Sequence, residues 1–222
     1  MTSLRLSPQL KSLISAHLSD FKSIPHSGEG LKRAAVAVTI VNCHQDPNVY
    51  NIRFQPDWHM DAALVLTRRA SKMRKHAGQW ALPGGRLEAG ETAVQAALRE
   101  LEEEVGVKLD ETAVLGRLDD FTTRSGYIMT PIIVWAGHDV TFQPNPEEVR
   151  AIYRIPVAEF LRPDSPMLET IPESNHPVLL MPVGNSWIAA PTAAVLYQFR
   201  EVCILGKQTR VAHYEQPVFA WK

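Results

Sequence analysis

The chain has 222 residues, of which 45% are hydrophobic and 21% charged, as is typical of a globular protein of one domain with additions. Its formal net charge of -1 disfavours nucleic acid and anionic membranes as partners. No stretch approaches the roughly 20 apolar residues of a membrane span. Only Cys43 and Cys203 occur, so no disulfide framework is expected and the chain fits a reducing cytosol.

The first 30 residues are predicted to form a helix and a linker. Apolar residues recur there at helical spacing and predict an amphipathic helix packed on the domain: Leu6, Leu10, Ile14, Leu18 and Phe21. Basic residues and serines near the start leave an organelle transit signal, and hence an organelle matrix, as the alternative. Asp20 disfavours that alternative, because transit peptides are poor in acidic residues. A cytoplasmic protein is therefore expected.

Residues 31–160 are predicted to form the core. Apolar runs predict buried strands over 34–41, 62–67, 114–118, 128–135 and 149–155, and a short helix follows over 156–160. Residues 161–222 are predicted to be a C-terminal extension whose helix, over 191–205, packs on the core. Mixed strands and few helices in this order predict an α+β or layered α/β/α domain.

The strongest predicted helix covers residues 91–105 and ends at Gly106. On a helix of about 100° per residue, Glu100, Glu103 and Glu104 share one face beside an apolar stripe. Carboxylates this close repel one another, so a counter-charge is expected. Mg²⁺ prefers carboxylate oxygens and bridges phosphates. The alternative is a solvated acidic face, but the preceding Pro-Gly-Gly turn and the core stripe favour a metal site.

Residues 85–107 read GRLEAGETAVQAALRELEEEVGV and resemble the Nudix box, the sequence motif of the Nudix hydrolases. Every fixed position of the motif is occupied: Gly85, Glu91, Arg99, Glu100, Leu101, Glu103, Glu104, Gly106 and Val107. The resemblance implies an α/β/α sandwich with a mixed sheet, to which the N-terminal and C-terminal helices are added.

The same resemblance implies roles for residues of the box. Metal ligands are expected among Glu100, Glu103 and Glu104, with Mg²⁺ as the cofactor and Mn²⁺ as its substitute. These glutamates and Arg99 would be the catalytic residues. Glu91 is expected to form a structural ion pair with Arg99, and Gly106 is also structural.

Residues 65–85, VLTRRASKMRKHAGQWALPGG, resemble the signature of the coenzyme A diphosphatase branch of this family. The matching positions are Thr67, Arg69, Ala70, Arg74, Gly78, Pro83, Gly84 and Gly85, whereas Val65 replaces a leucine and Leu82 a phenylalanine. Substrate binding is expected from Arg69, Arg74, Gly84 and Gly85. Arg68 and Arg69 alternate at a strand end, so only one can easily face the site, and the register favours Arg69.

Three further residues are candidates beyond the box. Arg124, in a polar turn, is predicted to contact phosphate, although an exposed hairpin turn is an equal alternative. Glu147 and Glu148 are candidates for an extra ligand or base, with surface charge as the alternative. Trp187, Tyr197 and Trp221 could stack on an adenine, but such residues are more often in the core, so no role is assigned.

The resemblance implies hydrolysis of coenzyme A or an acyl-coenzyme A to 3′,5′-ADP and 4′-phosphopantetheine or its acyl derivative. One alternative keeps the chemistry and changes the substrate to ADP-ribose, a dinucleotide or another nucleoside diphosphate derivative. Another is a non-catalytic nucleotide-binding domain, which the intact glutamates disfavour. RNA decapping is disfavoured by the neutral charge. A homodimer is compatible with the sequence.

Overall fold

The computed structural model describes residues 4–28, 30–43, 52, 60–70 and 78–218. Within them, a mixed sheet is built around β1 (Lys32–Asn42), which pairs antiparallel with β2 (Ala62–Arg69) and parallel with β7 (Tyr127–Gly137). The other strands of this sheet are β3 (Trp80–Ala81), β4 (Gly84–Arg86), β5 (Val114–Arg117), β6 (Phe121–Thr122) and β8 (Val149–Pro156). The mixed α+β class predicted from the sequence is confirmed.

The two faces of the sheet pack against different helices. Side chains alternate along a strand, so Val36 and Val38 of β1 join one apolar cluster and Ala35 and Ala37 join another. The alanine face carries α2 (Ala93–Val105), and small side chains there let the helix approach the sheet closely. The valine face packs with α1 (Pro8–Asp20) and α4 (Thr192–Phe199). The sheet therefore lies between two helical layers.

The predicted N-terminal helix is present as α1. The Ser7 hydroxyl accepts a hydrogen bond from the Leu10 amide and caps the helix. The linker that follows is attached to the core, because the Ile24 amide donates to Asp119 Oδ1 at 2.7 Å and the His26 amide to Asp120 Oδ2 at 2.9 Å. The linker is thus fixed against the short segment between β5 and β6.

The C-terminal extension contains a second sheet that the sequence did not predict. Its strands are β9 (Met167–Glu169), β10 (Val178–Val183) and β11 (Ser186–Ala189), in the order β11-β10-β9. The strands are short, and nearby prolines signal loops rather than strands: Pro166, Pro172, Pro177 and Pro182. The short strands and the prolines explain why the sequence did not predict this sheet.

The helix expected over residues 191–205 is present, but only its first part, α4, is α-helical. Pro191 is its N-cap, and the α-helix gives way to a π-helical turn over Arg200–Ile204. Gln198 Nε2 donates to the buried Asp119 Oδ2 at 2.7 Å, which ties α4 to the core. None of the helices in the described part of the chain has the length and apolar character that crossing a membrane requires.

Candidate active site

Helix α2 positions the acidic residues, and both of its ends are well defined. Thr92 and Gln95 form a reciprocal capping box, so the helix begins after Thr92 and not at Glu91. Glu91 precedes the helix, and its carboxylate accepts a hydrogen bond from the Glu88 amide at 2.8 Å. Gly106 ends the helix at φ 74°, a left-handed conformation that favours glycine.

Arg99 connects the loop before the helix to the acidic face. Its Nε donates to Glu91 Oε1 at 2.9 Å, and its Nη1 donates to Glu100 Oε1 and Glu103 Oε2, both at 2.9 Å. Nη2 also donates to the Arg86 carbonyl at 3.0 Å. The hydrogen bond from Arg99 lowers the pKa of Glu91. One guanidinium therefore braces the loop and offsets part of the negative charge on the helix.

A cluster of three carboxylates lies at the end of α2. Glu100, Glu104 and Glu148 each place an oxygen within 4.8 Å of the other two. Glu104 is only 3% exposed, and burial, together with repulsion from Glu100 and Glu148, raises its pKa to about 8. Burial also raises the pKa of Glu100. Negative charge concentrated in this way, away from water, is the environment that a bound cation relieves.

The loop that carries Glu148 is attached to the same helix end. The Gln143 amide donates to the Val105 carbonyl at 2.9 Å, and the Asn145 amide to the Glu104 carbonyl at 3.0 Å. This attachment brings Glu148 into the cluster and leaves the neighbouring Glu147 exposed.

Glu103 does not join the three-carboxylate cluster. It lies on the exposed side of Arg99, with its side chain 54% exposed. Its role as a metal ligand therefore stays a prediction.

The two glycines before the helix permit close packing. A Cβ added to Gly84 would overlap the Ala35 carbonyl, and one added to Gly85 would overlap the carboxylate of Glu100. The Gly84 amide also donates a hydrogen bond to Glu104. The sequence predicts that these glycines bind substrate, and the structure adds that they let the loop lie against β1 and the carboxylates.

Two neighbouring cavities open beside this loop. The loop cavity, about 530 Å³, is bordered by Lys32, Gly84, Gly85, Arg86 and Tyr127. The extension cavity, about 490 Å³, lies between the ends of β2 and β3 on one side and the second sheet and the start of α4 on the other. The residues that border both are Arg69, Ala81, Thr123, Ser125 and Thr192. The cavities therefore share a wall, and Arg69 is the charged residue in it.

Arg69 links the carboxylates to both cavities. Its Nε is buried and has no hydrogen-bond partner among the described residues, and its positive charge opposes the rise in the pKa of Glu104. Arg68 is held differently. Its Nη1 donates to the Gly78 carbonyl at 2.7 Å and its guanidinium lies 4.2 Å from the centre of the Trp80 ring. Both arginines nevertheless border the extension cavity, and the pairing of β2 with β8 shifts register between them. Strand alternation therefore does not separate them in the way that the sequence predicted.

Arg124 is engaged by the C-terminal segment. Its Nε donates to Glu215 Oε1 at 3.0 Å, and its Nη2 donates to the other carboxylate oxygen. These hydrogen bonds lower the pKa of Glu215 to about 2. A phosphate contact by Arg124 stays a prediction. Arg74 and Trp221, also named from the sequence, lie outside the described residues.

Several residues that border the cavities were not predicted from the sequence. Lys32 lies opposite Tyr127 in the pairing of β1 with β7, and the Arg86 guanidinium lies 5.2 Å from the centre of the Tyr127 ring. Trp187, which received no role, borders the extension cavity. The pairing of the strands places these residues beside the cavities, and the sequence alone does not reveal that pairing.

The sequence is similar to those of a known protein family. The model of the NUDIX domain family matches residues 44–174, more than half of the chain. A relative from Yersinia enterocolitica, described as the uncharacterized Nudix hydrolase NudL, is 37% identical over 139 residues, covering 61% of this chain and 71% of its own. The NudL of Yersinia pestis is 36% identical over 168 residues, covering 74% and 76%.

Among solved structures, a MutT/nudix family protein from Enterococcus faecalis has a TM-score of 0.46 and 17% identity, covering 76% of this chain and 54% of that one. Hydrolases of the family generally need a divalent metal and act on small nucleotide derivatives. The family match and the extended identity to NudL show that the chain belongs to the Nudix hydrolase family, enzymes that cleave a phosphorus anhydride in a pyrophosphate-containing substrate.

Proposed function

We propose that this enzyme hydrolyses the diphosphate bond of coenzyme A or an acyl-coenzyme A, giving 3′,5′-ADP and 4′-phosphopantetheine or its acyl derivative. The position of Arg69 carries the proposal. This residue matches the coenzyme A signature, and its guanidinium lies between the carboxylate cluster and two cavities with a buried, unpartnered Nε. A diphosphate beside Arg69 would also lie close to a divalent cation held by the three carboxylates.

The carboxylate cluster fits a divalent cation, proposed to be Mg²⁺ with Mn²⁺ as a substitute. Three carboxylate oxygens within 4.8 Å of one another are a donor set that hard cations prefer. When bound there, such an ion would neutralise charge on the diphosphate and activate a water molecule. Glu100, Glu104 and Glu148 would hold it, and Arg99 keeps Glu100 in place through a hydrogen bond of 2.9 Å.

The two cavities favour a diphosphate that carries a substituent on each side. With the diphosphate beside Arg69, one substituent would enter the loop cavity and the other the extension cavity. Coenzyme A has two such substituents, whereas a nucleoside triphosphate has one. ADP-ribose and dinucleotides also have two and remain the second candidate. The 3′-phosphate of coenzyme A distinguishes it from them.

A cytoplasmic location is proposed for this activity, because a chain with only two cysteines has no disulfide framework and suits a reducing compartment.

Coenzyme A is expected to be a better substrate than its 3′-dephospho form. A charged hydrogen bond to phosphate contributes about 1.5–3 kcal/mol, or roughly tenfold to a hundredfold in kcat/KM. Arg74→Ala should therefore lower kcat/KM for coenzyme A much more than for dephospho-coenzyme A, and Arg74→Lys should retain part of the difference. The measurement is kcat/KM for both substrates, and for ADP-ribose, with Mg²⁺.

Equal rates on coenzyme A and dephospho-coenzyme A, or a preference for ADP-ribose, would exclude the proposed substrate. Absence of turnover with every diphosphate tested would instead favour a nucleotide-binding role.

A further inference from the structure

The outer wall of the extension cavity is contributed by the C-terminal extension. Trp187 lies on β11 opposite Pro182 of β10, near the turn that joins the two strands. Alternation along β11 places Ile188 in the core, where it is 1% exposed, and turns Trp187 outward, where it is 47% exposed. A large indole therefore borders a cavity instead of filling the core.

The opposite wall of this cavity carries positive charge. The Arg68 guanidinium is held over the Trp80 ring and by the Gly78 carbonyl, so its position is well defined. Arg69 lies where the extension cavity meets the loop cavity. An exposed aromatic face opposite cationic groups is the combination that binds a base joined to phosphate, because every nucleobase has a π-face and every phosphate is an anion.

The size of the cavity suits such a ligand. Its volume of about 490 Å³ falls within the roughly 300–1,000 Å³ usual for small-molecule sites. Ser125 adds a hydroxyl to its lining, which can hydrogen-bond the edge of a base or a ribose hydroxyl. The Gln216 side chain, held by the Arg124 amide and the Thr122 carbonyl, adds a second polar surface. A polar and cationic lining of this kind fits a nucleotide better than an aliphatic chain.

We propose that Trp187 is a specificity-determining residue whose indole stacks on the nucleobase of the substrate. The extension cavity then holds the nucleoside arm, and the loop cavity holds the other arm. The inference rests on the proposed function for the position of the diphosphate beside Arg69. It gives the second sheet a role in substrate selection, in addition to its packing against the core.

The test compares binding of AMP with binding of ribose 5-phosphate, which lacks the base, by calorimetry on the full chain. The variants are Trp187→Phe, which keeps an aromatic face, and Trp187→Leu, which keeps apolar bulk without one. Leu168→Ala is the control, since Leu168 lies on β9 of the same sheet, is 54% exposed and does not border the cavity. Thermal melts check that each variant is folded.

The wild type is expected to bind AMP about tenfold more tightly than ribose 5-phosphate, as base stacking on an aromatic residue implies. Trp187→Leu should lose that preference, whereas Trp187→Phe and Leu168→Ala should keep it. On the diphosphate substrate, Trp187→Leu should raise KM more than it lowers kcat. An unchanged AMP preference in Trp187→Leu, or a wild type without any preference, would overturn the inference.

Failure of this inference can be distinguished from failure of the proposed function. A chain that binds AMP through Trp187 but hydrolyses no coenzyme A would retain the inference and lose the proposed substrate. If the protein hydrolyses coenzyme A and KM is the same in the wild type and Trp187→Leu, the proposed substrate is retained and the inference about Trp187 is lost.

Discussion

Glu104→Gln is expected to lower kcat on the diphosphate substrate by a hundredfold or more while the protein stays folded. Glu104 is the most buried member of the carboxylate cluster, and the amide would give one fewer anionic oxygen to the cation. Metal ions supply several kcal/mol of transition-state stabilisation, and each decade of rate corresponds to about 1.4 kcal/mol. Kinetics at saturating Mg²⁺ provide the measurement.

The matched control is Glu102→Gln. Glu102 lies on the same helix but faces solvent and pairs with Lys108 at 3.0 Å, so its loss should leave kcat unchanged. Near-wild-type turnover of Glu104→Gln at saturating metal would contradict the role given to Glu104.

The same substitution should not destabilise the metal-free protein. Burial raises the pKa of Glu104 to about 8 from an ordinary value of 4.5. The protonated carboxyl is therefore favoured in the folded state, and its contribution to stability, complete below pH 4.5, is lost as the pH rises through 8. A glutamine side chain does not ionise, so the variant does not lose this stability at high pH. In EDTA at pH 8, the variant is expected to melt at or above the temperature of the wild type.

Arg69→Ala is expected to lower kcat/KM by roughly tenfold to a hundredfold, the effect of losing a charged hydrogen bond to phosphate. The loss should be similar for coenzyme A, dephospho-coenzyme A and ADP-ribose, because Arg69 lies where the two cavities meet and the proposed diphosphate is common to all three. Arg69→Lys should recover part of the activity, since it keeps the charge but not the planar donor geometry.

Arg150→Ala controls for the loss of a positive charge nearby, because Arg150 is exposed and follows Val149, the residue of β8 that pairs with Arg69. A loss in Arg69→Ala confined to coenzyme A would place Arg69 at the 3′-phosphate instead of the diphosphate.

Much of the site's framework could be predicted because it is local in sequence. The helical spacing of Glu100 and Glu104 places them on one face whatever surrounds the helix. Gly106 is likewise required locally, by the left-handed backbone at the end of the helix. The coenzyme A signature singled out Arg69, which borders both cavities, but alternation at the end of β2 does not keep Arg68 away from the extension cavity.

The rest depends on contacts between segments distant in sequence. Glu147 and Glu148 are adjacent acidic residues in a loop, and only the amides that attach this loop to the end of α2 decide that Glu148 joins the cluster. Lys32 borders a cavity because β1 pairs in parallel with β7. Trp187 could not be assigned a role, because its outward position depends on the second sheet, which the sequence did not predict.

We propose that Glu100, Glu104 and Glu148 together bind the divalent cation that diphosphate hydrolysis requires. A calorimetric titration of Mg²⁺ into the wild type, Glu148→Gln and Glu147→Gln tests this role directly. The two variants carry the same change at neighbouring positions, but only Glu148 lies in the cluster. Mg²⁺ affinity is expected to fall at least about tenfold in Glu148→Gln, as losing a charged ligand implies, and to be unchanged in Glu147→Gln. Equal Mg²⁺ affinity in all three proteins would contradict the claim.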